Sequence, residues 1–154
     1  MFKGLIRVYD KTGRAVKVSS SNTVVLSEDV RGATTFQLVG CRAWNDVPEE
    51  LYPRCVSLMD ANRTDWYVRH TGYYLHVDPE YNTYNPSLFK LVSSFILHSD
   101  TFFPNLYALE SVNYPNFYVK SDDNGRLKIV HSTNITDYDT ASFRMSSEYI
   151  RLVL

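Results

Sequence analysis

A chain of 154 residues has the length of one domain and can bury a sizeable core, and 44% hydrophobic against 21% charged residues excludes a disordered composition. The formal net charge of −1 leaves no basic footprint for nucleic acid and no Lys/Arg run for an anionic membrane surface. No apolar stretch approaches the ~20 residues that span a bilayer, so no membrane insertion is expected.

The N-terminal "MFKGLIRVYDKTG" turns polar too soon for a signal peptide, so the chain is expected to be cytosolic or to begin after a removed leader. Short β-rich runs follow, broken by Gly, Pro, Asn and Asp. They predict strands near 5–9, 15–19, 23–27 and 34–38, then 55–60, 66–70, 73–77 and 94–98. A third group falls near 107–111, 117–121, 127–130 and 142–145, with a tail at 149–153. No segment sustains a 3.6-residue pattern, so no helix is expected. Between the first two groups, Cys41 and Cys55 flank "RAWNDVPEELYPR"; a loop-closing disulfide and two separate buried thiols both fit that spacing. Trp44, in the same segment, reads as a plug under a loop. Asp122-Asp123-Asn124-Gly125 reads as a hairpin turn, because it lacks the ligand spacing and the downstream Glu of a calcium loop. The sequons at Asn62 and Asn134 are no more than chance supplies.

The three groups repeat one unit. Val8, Leu58 and Leu109 close the first strands, 50 and 51 residues apart. "AVKV" from Ala15, "YVRH" from Tyr67 and "YVKS" from Tyr118 follow, then "VVLS" from Val24, "LHVD" from Leu75 and "LKIV" from Leu127. Each copy closes on Thr35-Phe36, Ser94-Phe95 or Ser142-Phe143. Four strands in three copies predict an all-β chain with the β-trefoil arrangement, a single domain over 1–154 with repeats at about 5–40, 55–98 and 106–146. Three copies around a pseudo-threefold axis close a barrel without free edges, which one copy cannot do. Leu58, Val68, Leu75, Val77 and Phe95, with their counterparts, are the expected core.

At "YVRHTGYYLHVDPE" and "ALESVNYPNFYVKS" the chain resembles the arabinose-binding β-trefoil modules attached to α-L-arabinofuranosidases, the AbfB-type family 42 carbohydrate-binding modules. Copy 3 carries Ser111-Val112-Asn113-Tyr114-Pro115 and Tyr118 of the family pattern; copy 2 carries Tyr67, Arg69-His70 and Val77-Asp78-Pro79. The resemblance is close over about 55–145 and weak over 5–40. It implies a pocket in each copy that holds one sugar between a His and nearby acids. Such a pocket needs carboxylate acceptors for vicinal hydroxyls, a donor, and an aromatic wall.

Carried over, copy 2 offers His70 as donor and Asp78 as acceptor, with Tyr67, Tyr81, Asn82 and Tyr84 completing the site from the strand and a lengthened loop. Glu80-Tyr81-Asn82 replaces the family's second Asp, and Val92-Ser93 stands where an acid precedes the closing Phe. Copy 3 has Ser121 for the His and Val130 for the Asp, so Tyr118, Asp137 and Asp139 are secondary candidates. Copy 1 has Val18 and Ser27, with only Asp29 nearby. His70 reads equally as a repeat-position His bonded inside the fold, and Asp78 as a turn-starting Asp-Pro.

No G-x-S-x-G, H-E-x-x-H, P-loop or dinucleotide motif is present, so neither catalysis nor a cofactor or metal is expected. The expected function is a non-catalytic lectin or carbohydrate-binding module that recognises a terminal sugar of a glycan, arabinofuranose side chains by the resemblance. The resemblance also favours an extracellular setting and a larger parent protein. The alternative is a protein-binding module that has lost its sugar pockets, as in cytokine-like and fascin-like trefoils.

Overall fold

In the computed structural model, which describes residues 4–147, twelve strands follow the expected order. They are β1 (Gly4–Asp10), β2 (Ala15–Val18), β3 (Val24–Ser27), β4 (Phe36–Gly40), β5 (Cys55–Asp60), β6 (Trp66–Thr71), β7 (Tyr74–Pro79), β8 (Phe95–Ser99), β9 (Tyr107–Ser111), β10 (Phe117–Ser121), β11 (Leu127–His131) and β12 (Phe143–Ser146). The tail expected at 149–153 lies outside the described residues.

Antiparallel pairings run β1–β4, β4–β5, β5–β8, β8–β9, β9–β12 and β12–β1, which closes a barrel. The remaining strands form three hairpins, β2–β3, β6–β7 and β10–β11. These meet one another through Lys128 opposite Tyr74, Thr23 opposite His76 and Val25 opposite Arg126. Closure satisfies the strand edges that a single copy would leave open.

Alternation along each strand sends every second side chain inward. Phe36, Phe95 and Phe143 begin β4, β8 and β12 and are at most 1% exposed. Val16, Val68 and Val119 from the hairpins and Leu58 and Leu109 from the barrel join them in one contiguous core. Burial of each Phe contributes roughly 1.5–3 kcal/mol, so the repeated positions are where the barrel gains its stability.

The turn at 122–125 forms as expected. Asp122 accepts hydrogen bonds from the Asn124 and Arg126 amides, both at 2.9 Å, and Gly125 supplies the positive φ of 78°.

Two expectations need correction. The segment after β7 is not helix-free: a 3-10 turn at Glu80–Asn82 leads into helix α1 (Pro86–Val92). Asn85 caps it by accepting from the Leu88 amide, Pro86 opens it, and Phe89 and Val92 are the buried pair. Trp44 is no plug; it is 55% exposed and, among the aromatic rings of the described residues, meets only the edge of Tyr52. Cys41 and Cys55 are bonded, with Cα atoms 5.1 Å apart, and pack with Ile96, Val47, Leu51 and Val112 in a small second core.

Candidate functional site

The β6–β7 hairpin carries chemistry on both sides of Arg69. Opposite positions on its two strands are Tyr67 with Asp78, Arg69 with His76, and His70 with Leu75. Alternation therefore turns His70 toward the interior beside Val68, while Arg69 lies on the other face with Asp78.

On one side, Asp78, Asn82 and Tyr84 line an open cleft with Arg69, Phe89 and Leu88. An Arg69 Nη donates to Asp78 at 3.4 Å, a long contact that leaves the carboxylate 42% exposed. Tyr84 is fully exposed, and Tyr81 leans away at 71% exposure, its hydroxyl accepting from Trp66 Nε1 at 3.3 Å. Tyr67 is buried beneath the Arg42 guanidinium, 5.2 Å from the ring centre, and burial pushes its phenol pKa up. Glu80, in the same loop, accepts two hydrogen bonds from Arg42 at 2.6 and 2.7 Å. That bidentate pair holds the Glu80 carboxyl below its ordinary pKa and commits it to fixing the loop.

On the other side, His70, Tyr73, Leu88, Val92, Asn113 and Tyr114 line a second, smaller cleft that Arg69 also borders. His70 is 3% exposed, with Nε2 2.9 Å from Ser111 Oγ. The Phe95 ring stands edge-on to it at 6.4 Å and the Tyr114 ring lies 5.5 Å away. Burial first, and the Arg69 charge second, push its pKa down to about 4, so the imidazole is neutral at pH 7. Val92, where the resemblance expects an acid, makes this wall apolar and is 5% exposed.

The turn between Thr71 and Tyr74 has only two residues, both with positive φ, Gly72 at 56° and Tyr73 at 69°. A two-residue hairpin demands that geometry, and a Tyr there carries strain on the order of 1–3 kcal/mol. Its ring stacks on Tyr114 and Phe117, each 6.0 Å away, yet stays half exposed. Tyr114 is also exposed on one face, so the two rings present a flat aromatic surface beside Asn113 and Arg69.

Arg69 joins the two clefts. Its guanidinium lies 5.4 Å from the Phe89 ring centre, and its Nε is the buried side-chain polar atom that lacks a partner among the described residues. An orphaned buried donor costs about 1–3 kcal/mol, a cost kept only where something else compensates.

The structure thus brings Asp78, Asn82 and Tyr84 to one cleft, places His70 in the neighbouring one, and sets Tyr67 and Tyr81 outside both linings. In copy 3, Tyr118 is half-buried between His98 and Phe102. Asp137 caps the turn Tyr138–Ala141 by accepting from the Asp139 amide, and Asp139 pairs with Lys11 at 3.4 Å. Both carboxylates serve local structure. Sequence reasoning gives Arg69, Asn113 and Tyr114 no role beyond the family pattern and passes over Tyr73. "HTGYY" contains the two-residue turn that forces Tyr73 outward, but Asn113 and Tyr114 come from the next copy, a juxtaposition no local pattern encodes.

Among the described residues no group of three or more His, Cys, Asp or Glu is placed to hold a metal ion, and no helix is long and apolar enough to cross a membrane.

The sequence pattern of the alpha-L-arabinofuranosidase B (ABFB) domain matches residues 6–150. The chain belongs to the ABFB domain family. The match extends through the divergent first copy, so the ABFB relationship covers all three clusters of strands. No curated protein sequence matches the chain. Among solved structures it is similar to an arabinofuranosidase complexed with arabinofuranosyl-alpha-1,2-xylobiose, at 15% identity and a TM-score of 0.71, over 95% of this chain and 31% of that one. It is also similar to a mutant GH54 α-L-arabinofuranosidase soaked with 4-nitrophenyl α-L-arabinofuranoside, at 16% identity and a TM-score of 0.70, over 93% and 31% of the two chains. A Gallus interleukin-1 beta mutant shares 11% identity at a TM-score of 0.67, over 96% and 97%. At these identities the likeness is one of fold, and this ABFB chain spans about 31% of the length of the two arabinofuranosidases.

Proposed function

We propose that this ABFB domain is a non-catalytic β-trefoil module that binds a terminal sugar of a glycan through its second repeat. The barrel of six strands capped by three hairpins, each contributed once per repeat, supports the trefoil reading. The observation that carries the functional reading is Arg69, which borders both clefts, with an open carboxylate, Asp78, on one side and the Tyr73–Tyr114 surface on the other. A sugar needs that combination: donor and acceptor for its hydroxyls, and a flat apolar face for its C–H edge.

In this reading Asp78 accepts from hydroxyls, Asn82 and Tyr84 extend the rim, and Tyr73 and Tyr114 form the aromatic wall in place of Tyr67 and Tyr81. His70, neutral and bonded to Ser111, holds the wall from behind. Arabinofuranose is the ligand the family suggests, in keeping with the sugars named in the two arabinofuranosidase structures. The Cys41–Cys55 bridge fits an oxidising, extracellular compartment.

The test is a glycan screen with arabinofuranosyl, galactosyl and sialylated structures at high protein concentration, followed by titration of any hit. Asp78→Ala and Tyr73→Ala are each expected to weaken binding tenfold or more, about 1.4 kcal/mol. Both should leave the circular dichroism spectrum unchanged. Retained affinity in Asp78→Ala would sink the site, and silence across the screen would sink the function.

A protein-binding module is the second reading. It draws on Trp44 and Tyr52, an exposed aromatic pair on the disulfide-bounded segment away from the clefts.

A further inference from the structure

The first repeat, whose sequence offers no recognisable sugar pocket, holds a cleft of a different chemistry. It lies where the His70 cleft lies in the second repeat. Lys17-Val18 on β2 match Arg69-His70 on β6, Thr34-Thr35 precede β4 as Ser93-Ser94 precede β8, and Asn62-Arg63 follow β5 as Asn113-Tyr114 follow β9. The fold therefore builds the same hollow twice, between the hairpin of one repeat and the turn that opens the next. The lining, however, has changed: among the described residues no aromatic ring borders the first-repeat cleft, and Arg63 stands where the second has Tyr114.

Arg63 is fixed in place. Its Nε donates to Asp60 at 3.0 Å, one Nη donates to Asn22 Oδ1 at 2.9 Å, and its guanidinium lies 4.1 Å from the Trp66 ring centre. Asp60 is 6% exposed and its other oxygen accepts from the Asn62 amide at 2.9 Å, so this carboxylate is already satisfied. The second Nη of Arg63 has no acceptor among the described residues. Lys17, which lines the same cleft, makes no ion pair among the described residues. Asp29, the other carboxylate near it, caps the turn Val30–Gly32 by accepting from the Arg31 amide. Ser20, Thr34 and Thr35 line the cleft; Thr34 Oγ1 accepts from the Val18 amide at 2.8 Å and Thr35 Oγ1 from Arg7 Nε at 3.3 Å, which leaves both hydroxyls as donors.

A guanidinium held by three contacts before any ligand arrives loses little entropy on binding, and its remaining Nη can donate a charge-assisted hydrogen bond to a carboxylate oxygen. The Lys17 ammonium in the same cleft adds charge, and the cleft's hydroxyls suit a polyol. We propose that this cleft is a second binding site, for a carboxylate-bearing sugar such as a terminal uronic acid. Arg63 and Lys17 grip the carboxylate, and Thr34, Thr35 and Ser20 meet the ring hydroxyls. The site does not depend on the second-repeat reading, since it shares no residue with those clefts.

The experiment titrates the whole chain with methyl glucuronide, methyl galacturonide, the matching neutral methyl glycosides and inorganic sulfate, followed by calorimetry at low ionic strength. A uronide is expected to bind at least tenfold tighter than its neutral counterpart and than sulfate, and to weaken as salt rises. Arg63→Gln and Lys17→Glu should each reduce uronide affinity tenfold or more, whereas Asp78→Ala leaves it unchanged. Arg63→Gln unpairs buried Asp60 and could unfold the turn; Lys17→Glu, on an exposed strand position, keeps the test decisive. Equal response to the neutral sugar, equal response to sulfate, no uronide binding, or binding untouched by Lys17→Glu would each overturn the proposal.

Discussion

Lowering the pH from 7 to 4 is expected to destabilise this chain by about 3 kcal/mol through one residue, His70. Burial and the neighbouring Arg69 charge push its pKa from the ordinary 6.5 to about 4. The fold therefore favours the neutral ring. Above pH 6.5 both folded and unfolded chains carry it neutral and the residue has no effect. As pH falls below 6.5 the unfolded chain takes up a proton that the folded chain refuses, so stability falls, and the loss is complete once pH passes below about 4. At ~1.4 kcal/mol per pH decade of separation the total is about 3 kcal/mol, equivalent to a drop of roughly 6–12 °C in Tm for a chain of this length. Carboxylates titrate in the same range, so the measurement is a comparison. Thermal melts of the wild type and His70→Gln, which keeps a partner for Ser111, should converge or cross as pH falls, the variant losing about 3 kcal/mol less. Parallel curves from pH 7 to 4 would show that His70 accepts its proton without cost. The same shift keeps the His70 ring neutral throughout the neutral pH range.

Removing the Cys41–Cys55 bridge is expected to cost a similar amount. The bond spans a sequence separation of 14 residues, and closing a loop of that size lowers the entropy of the unfolded chain by an amount worth about 3 kcal/mol. Both sulfurs are buried, at 3% and 0% exposure, and pack on Ile96, so a Cys41→Ala/Cys55→Ala double variant also loses some apolar contact. Calorimetry with and without reductant isolates the covalent part. An unchanged Tm after complete reduction would mean that packing alone holds the segment. Loosening should also reach the second-repeat loop, because Arg42, one residue past Cys41, anchors Glu80.

How far the sequence carried the reading depends on the range of the interactions involved. The twelve strands were legible because period-two alternation, Gly/Asn/Asp turns and the inward Phe of each repeat are local signals. Helix α1 was missed because two buried apolar residues, Phe89 and Val92, make too short a stripe to show a period. The Asn85-Pro86 start, a cap followed by a proline, was its one readable sign. Asp78 was reached through the resemblance, whose pattern places an Asp before Pro79, while Arg69 was read as part of a motif without a role.

The candidate sites illustrate the limit most clearly. His70 and Asp78 are eight residues apart and belong to one hairpin, yet they occupy different clefts because strand alternation turns them to opposite faces. Nothing short of the folded barrel puts Asn113 and Tyr114 beside Tyr73, or Arg63 in one cleft with Lys17, since each cleft takes its walls from two successive repeats. Cysteine spacing left the disulfide open, and only the approach of β5 to the end of β4 settled it. Repetition and alternation along the chain were thus enough for the architecture, because strand formation and side-chain facing are decided within a few residues. The sites, the bridge and the depressed His70 required assembly, because burial, partnering and charge are properties of groups brought together from distant positions.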